Sequence, residues 1–152
     1  ELVVSYANSF FSEDCNQFKD AFSYVQFNKK YQIDDHLIYE ILCRAAAYNG
    51  FSRWFKQSSD GSFTPVYFPM PKLEKNSSGQ FIIAGFRDEN ELVNSEFDYH
   101  TQTVISVNKW IGSGEASERT EWEFQDGSFV FSKYLVDETY DGKVNPILVE
   151  EE

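Results

Sequence analysis

A chain of 152 residues is the right length for one domain, and on folding it can bury roughly 70% of the surface its unfolded form exposes, so it needs no metal to fold. Its 25 acidic and 13 basic residues leave a net charge of −12. That charge argues against nucleic acid and anionic membrane surfaces, which both need clustered Lys and Arg, and favours a cationic protein partner; it also serves solubility.

Hydrophobic residues make up 41% of the chain and aromatics 18%, a composition that fills a core and favours strands, since flat rings pack well on a pleated surface. No run approaches the ~20 apolar residues of a membrane helix. The chain opens at Glu1 rather than Met. A cleaved export signal would explain this, and so would any other trimming.

The first periodic segment is helical. Phe11, Cys15, Phe18, Phe22 and Val25 fall on one helical face, with Glu13, Gln17, Lys19 and Asp20 turned away. Ser12 is a fitting cap, and Glu13 and Asp14 suit the first turn, so a helix is expected from about Ser12 to Val25. After Asp34-Asp35 the period becomes two. Leu37 to Cys43 is apolar on both faces, as expected of a central strand covered by the helix.

Phe51 to Phe55 and Thr64 to Phe68 form a strand pair around the turn signal Ser58-Ser59-Asp60-Gly61. Pro69 and Pro71 are expected to end the second strand. Lys72 to Gly79 is polar and expected to be an exposed loop, Phe81 to Phe86 a strand, and Glu89 to Glu96 an acidic, irregular stretch. Phe97 to Tyr99 leads into a strand over Thr101 to Trp110, followed by a flexible break at Gly112-Ser113-Gly114.

The clearest hairpin alternates Thr120, Trp122 and Phe124 with Glu121, Glu123 and Gln125, turns at Asp126-Gly127, and returns through Phe129 and Phe131. Asn145 to Glu152 supplies a short last strand with an acidic end. One helix followed by about seven consecutive strands gives an α+β, β-rich class, with the helix on a mainly antiparallel sheet that is open or curled into a partial barrel. The absence of a repeat or linker points to one domain over 1–152.

The search for chemistry is mostly negative. Only two histidines occur, His36 and His100, and no CxxC or HExxH spacing accompanies them, so no metal site is expected. No G-x-S-x-G elbow and no glycine-rich phosphate loop are present. Cys43 lies in a strand that should be buried, where a thiol is inert as a nucleophile. Glu121 and Glu123 share a strand face and invite comparison with a two-carboxylate glycosidase, but the same alternation is what a solvated face opposite Trp122 and Phe124 produces. No catalytic group and no cofactor are expected.

The chain has two cysteines, Cys15 and Cys43. If the helix packs on the first strand the two can meet, and a bridge closing that loop would contribute roughly 3–4 kcal/mol. Two free buried thiols are the alternative.

Leu42-Cys43-Arg44-Ala45-Ala46-Ala47-Tyr48-Asn49 is similar to the Cys-x-x-Ala-Tyr-Asn signature of an exported bacterial family, domain of unknown function 1176. The order of features agrees: an aromatic strand after the signature (Phe51 to Phe55), the pair Phe97-Asp98, a Gly-rich stretch (Gly112 to Gly114), a Trp strand (Glu121 to Phe124) with a Gly-x-Phe turn (Gly127 to Phe129), and a final Pro146-Ile147-Leu148. The resemblance covers most of this chain and about the C-terminal half of a typical member. Members usually carry further cysteines in the Gly-rich stretch and after the Trp strand. This chain has Glu115-Ala116 and Asp141-Gly142 there, so only the Cys15–Cys43 pair would remain. The resemblance implies export to the periplasm and no activity.

These features together point to a periplasmic, non-enzymatic binding protein, an inhibitor or immunity protein that neutralises a cationic cell-wall hydrolase or delivered toxin. An envelope hydrolase using carboxylates and a structural envelope component are the alternatives. The loops Lys72 to Gly79, Glu89 to Glu96 and Gly112 to Arg119 are the expected contact segments. Tyr48 and Trp110 are aromatic anchors if exposed and core rings if not, and Asn49, Glu91, Glu115 and Glu118 are the polar candidates. No nucleic acid and no membrane insertion are expected, and the chain should be a monomer or homodimer.

Overall fold

The computed structural model describes residues 28–151. Twelve strands run through them: β1 (Asn28–Ile33), β2 (His36–Ala46), β3 (Asn49–Gln57), β4 (Phe63–Pro65), β5 (Phe68–Lys75) and β6 (Phe81–Glu89). Then follow β7 (Glu91–Val93), β8 (Ser95–Asp98), β9 (Thr103–Lys109), β10 (Ser117–Gln125), β11 (Ser128–Asp137) and β12 (Ile147–Leu148).

The described residues are therefore all-β, arranged in antiparallel sheets of which none closes into a barrel. This corrects the α+β, barrel-like expectation. The helix expected over Ser12 to Val25 lies outside the described residues, as does Cys15. The miscount of strands has a physical source. Apolar alternation is faint in β1, where only Tyr31 and Ile33 are apolar, yet both are buried.

The chain divides into two compact units, the first comprising the described residues to Tyr67 with Asn90–Ser95, the second Phe68–Glu89 with the chain from Glu96 on. In the first unit the order β1-β2-β3-β4, with β7 also on β3, puts β2 and β3 in the centre. That matches the expectation for β2, whose residues Ile38, Ile41 and Cys43 are buried. The turns are local. Gly61 donates its N–H to the Ser58 carbonyl (2.9 Å) and takes a φ of 85°, as the Ser58 to Gly61 signal predicts.

In the second unit β12-β11-β10-β9-β8 form one sheet and β5-β6 a two-stranded one. Asp126 (φ 49°) and Gly127 (φ 84°) both take the left-handed conformation that a two-residue hairpin needs, and Trp122, Phe124 and Phe129 are buried on one face as expected. Pro69 and Pro71 do not end a strand. They sit inside β5, which pairs only with β6, so one edge needs no N–H donor. Lys72 to Lys75, expected in a loop, continue that strand. Glu91 to Val93, expected to be irregular, pair with β3.

The core of this unit is aromatic. Phe68 packs on Trp122 (centroids 5.1 Å) and on Phe129 (4.8 Å), and the Trp122 indole N–H donates to the Pro69 carbonyl at 2.8 Å. A second cluster joins Ile83, Tyr134, Val136 and Val149.

Candidate functional site

The signature hairpin joins β2 to β3 in the first unit. Register slips between Leu42 and Arg44, which makes Cys43 the extra residue of a β-bulge. A bulge re-aims the side chains around it. Cys43 is completely buried, whereas Arg44 reaches out with its guanidinium 3.7 Å from the Phe51 ring centroid and its Nη2 2.6 Å from Glu91 Oε1. Arg53 Nη2 reaches the other oxygen of Glu91 at 3.2 Å. Glu91 thus bridges two arginines and is not a loop carboxylate open to a partner.

Asn94, at φ 44°, closes the same end. Its Oδ1 accepts the Gly50 N–H (2.9 Å), and its Nδ2 donates to Asn49 Oδ1 (2.7 Å). A side chain at position 50 would come within 3.2 Å of Leu42 Cδ1, which is why glycine suits it. Tyr48 sits at the tip of the turn and is exposed. Three expected residues, Tyr48, Asn49 and Glu91, therefore gather at one end of this unit, and of the three Tyr48 is the most exposed.

Behind this hairpin lies a carboxylate that the motif search passed over. Glu40 is 3% exposed. Its Oε2 accepts from the Tyr31 hydroxyl and its Oε1 from the Ser95 hydroxyl, both at 2.7 Å, and the Trp54 indole N–H donates to Ser95 Oγ at 3.1 Å. Tyr31 stacks on Trp54. Burial pushes the Glu40 pKa above its ordinary value, against the hydrogen bonds from Tyr31 and Ser95 that lower it. The signal was available: Glu40 is the one acid within the apolar run Leu37 to Cys43.

In the second unit Trp110 is not an exposed anchor. It packs, partly buried, against the cluster of Ile83, Tyr134, Val136 and Val149. Glu118 accepts from the Tyr134 hydroxyl (2.5 Å) and from Asn108 Nδ2 (2.9 Å). Burial and the Glu118 carboxylate both push the Tyr134 pKa up. Glu115 is half-buried beside Gly142, where an added Cβ would meet its Oε2 at 3.7 Å. The glycosidase candidates are tied down as well. Glu121 pairs with Arg119 at 2.8 Å, and Glu123 accepts from Gln125 and Ser132. Among the described residues no three His, Cys, Asp or Glu side chains converge as a metal site would require.

The second unit leaves Tyr99, Val130 and much of the segment from Glu138 to Glu151 open to solvent. Tyr140, Val144, Ile147 and Leu148 are large, apolar and more than half exposed, and Glu138, Asp141, Glu150 and Glu151 are exposed around them. Only two of these, Ile147 and Leu148, belong to a strand. The sequence marks only Asn145 to Glu152 as a last strand, and not as a surface, because its apolar residues look like those of any core strand.

Comparison with protein families matches residues 5–143 to the family described as protein of unknown function (DUF1176). The chain belongs to this family. The DUF1176 match spans the signature hairpin, the buried Glu40 and the Trp122 hairpin, and stops short of Ile147 and Leu148. Comparison with curated proteins and with solved structures finds no match.

Proposed function

We propose that this chain is an exported, non-enzymatic module that binds a cationic protein, in the manner of a periplasmic inhibitor or immunity protein. The observation that carries the reading is the contrast between acids tied up inside the two units and the exposed acids at the end of the described chain, of which Glu150 and Glu151 form no ion pair among the described residues. Glu40, Glu91 and Glu118 are each held by internal hydrogen bonds or ion pairs, while the acidic segment from Glu138 to Glu151 surrounds exposed apolar side chains. Exposed apolar area beside a surplus of carboxylates, here four acids against Lys143 within the segment, is what a protein of opposite charge recognises.

A carboxylate hydrolase would need a reachable acid and a second carboxylate beside it. Glu40, the acid with the raised pKa, is shut away from solvent with both oxygens accepting hydrogen bonds. A bridge between Cys43 and Cys15 belongs to the same reading, since Cys43 is buried and an exported chain meets an oxidising compartment.

The test is affinity capture from envelope and secreted fractions on the immobilised, unreduced protein. The reading expects a stoichiometric cationic hydrolase or toxin, retained at low salt, released at high salt and inactive while bound. Retention of no protein at any salt overturns it.

A further inference from the structure

In the second unit, β6 and the chain after β12 meet through a single parallel bridge, Ile83 with Glu151, in which the Ile83 N–H donates to the Glu150 carbonyl at 3.0 Å. Beside that bridge the two segments enclose an open groove of about 510 Å³, lined by Phe81, Ile82, Ile147, Leu148, Glu150 and Glu151 among others. Backbone polarity follows from strand alternation. The Val149 N–H donates to the Tyr134 carbonyl of β11, so the peptide groups of Leu148 and Glu150 point the other way, and Glu150 does meet β6. Phe81 shares its backbone direction with Ile83, two residues on, so it too faces β12. The two strands are zipped at Ile83 and unzipped at Phe81 and Leu148.

An unzipped edge of this kind has three complementary features. It has backbone donors and acceptors in strand geometry. It has apolar side chains, with Ile147 at 58% and Leu148 at 55% exposure. It also has carboxylates, Glu150 and Glu151, that form no ion pair among the described residues, while Glu138 is joined to Lys75 at 2.9 Å.

We infer that the groove between β6 and β12 takes an extended, basic segment of a partner protein, which adds as a strand along the Leu148 edge, sets apolar side chains on Phe81, Ile147 and Leu148, and places Lys or Arg beside Glu150 and Glu151. Strand addition draws affinity from main-chain hydrogen bonds and selectivity from alternate side chains. The inference rests on the protein-binding reading above and names its site and the chemistry of its occupant.

The probe, read by anisotropy at low salt, is a fluorescein-labelled peptide with Val residues followed by Lys residues, because Ile147 and Leu148, like Glu150 and Glu151, fall on opposite faces of their strand. Two companions are the same peptide N-methylated at alternate amides, and one with Glu for Lys. Binding of the Lys peptide is expected, weakened about tenfold or more by N-methylation and abolished by the Glu substitution. Glu150→Gln with Glu151→Gln should weaken it about three- to tenfold, and Ile147→Ser with Leu148→Ser about tenfold, with an unchanged near-ultraviolet spectrum to show that the exposed substitutions leave the fold intact. The amide resonances of Phe81 and Leu148 should move on titration.

Failure of the Lys peptide to bind overturns the inference, and so does equal binding of the N-methylated peptide or insensitivity to both double variants. The two readings fail separately. Capture of a cationic partner as well by the Ile147→Ser, Leu148→Ser variant as by the native chain would sink the groove and leave the binding function standing. Peptide binding as described, with no partner captured, would leave the groove standing and sink the inhibitor reading.

Discussion

The two units bury their tryptophans in different company. In the first, Trp54 stacks on Tyr31 and its N–H begins a chain of hydrogen bonds that ends on a buried carboxylate. In the second, Trp122 lies ring against ring with Phe68, and its N–H is taken by a backbone carbonyl. The first arrangement ties packing to the protonation of one acid. The second rests on apolar packing and one hydrogen bond between groups that do not titrate, and should be indifferent to pH.

The largest effect is expected from removing the rings themselves. Trp54→Ala and Trp122→Ala should each cost about 3–5 kcal/mol in urea unfolding, the usual range for a buried aromatic replaced by Ala. A loss below about 1 kcal/mol at either position would mean that its unit does not depend on that ring.

Next in size is Glu40. A carboxyl whose folded pKa lies above its unfolded value holds its proton more tightly when folded, so the unfolded state binds fewer protons between the two values. The stability that this group contributes is fully present below its ordinary pKa of 4.5 and is lost as pH rises through the raised folded value. Glu40→Gln should remove that slope, and should cost about 1–3 kcal/mol at acid pH by leaving one hydroxyl poorly satisfied. Trp122→Phe should leave the slope as it is. Unfolding midpoints measured from pH 4.5 upward decide the matter, and an unchanged slope in Glu40→Gln would break the contrast between the units.

Smaller still is Asn94→Ala, which takes away the acceptor of the Gly50 N–H and the donor to Asn49, for about 1–2 kcal/mol by the same measurement. Least of all is Tyr48→Ser at the exposed tip of the hairpin, expected within about 0.5 kcal/mol of the native chain.

The sequence was most legible where local chemistry alone decides the structure. Asp126-Gly127 can hardly be anything but a tight hairpin turn, and the alternation around Trp122 marks its buried face without help from any other element. The central place of β2 was readable for a similar reason, because a strand apolar on both faces must be covered on both. Reading failed where a distant partner decides. Pro69 and Pro71 look like strand breakers until β5 is known to have an open edge, and Glu91 looks like a surface acid until β7 is placed on β3 beside two arginines.

The site was legible in part. The signature pointed to the hairpin around Cys43, Tyr48 and Asn49, but its bulge, and so the outward turn of Arg44, is a matter of register that spacing does not reveal. Trp110 stayed open between anchor and core because a ring beside a glycine-rich stretch carries no sign of whether a cluster waits beneath it, and the structure places it against such a cluster. The groove at Phe81 and Leu148 was invisible for the same reason: it exists only because two strands far apart in sequence join at one residue and part at the next.

Amide hydrogen exchange, compared between the chain alone and the chain bound to its captured cationic partner, tests the central claim most directly. The account predicts slowed exchange at Phe81 and Leu148, with the Glu40 network of the first unit unchanged. Protection confined to the Tyr48 hairpin, or no protection along β6 and β12, would contradict it.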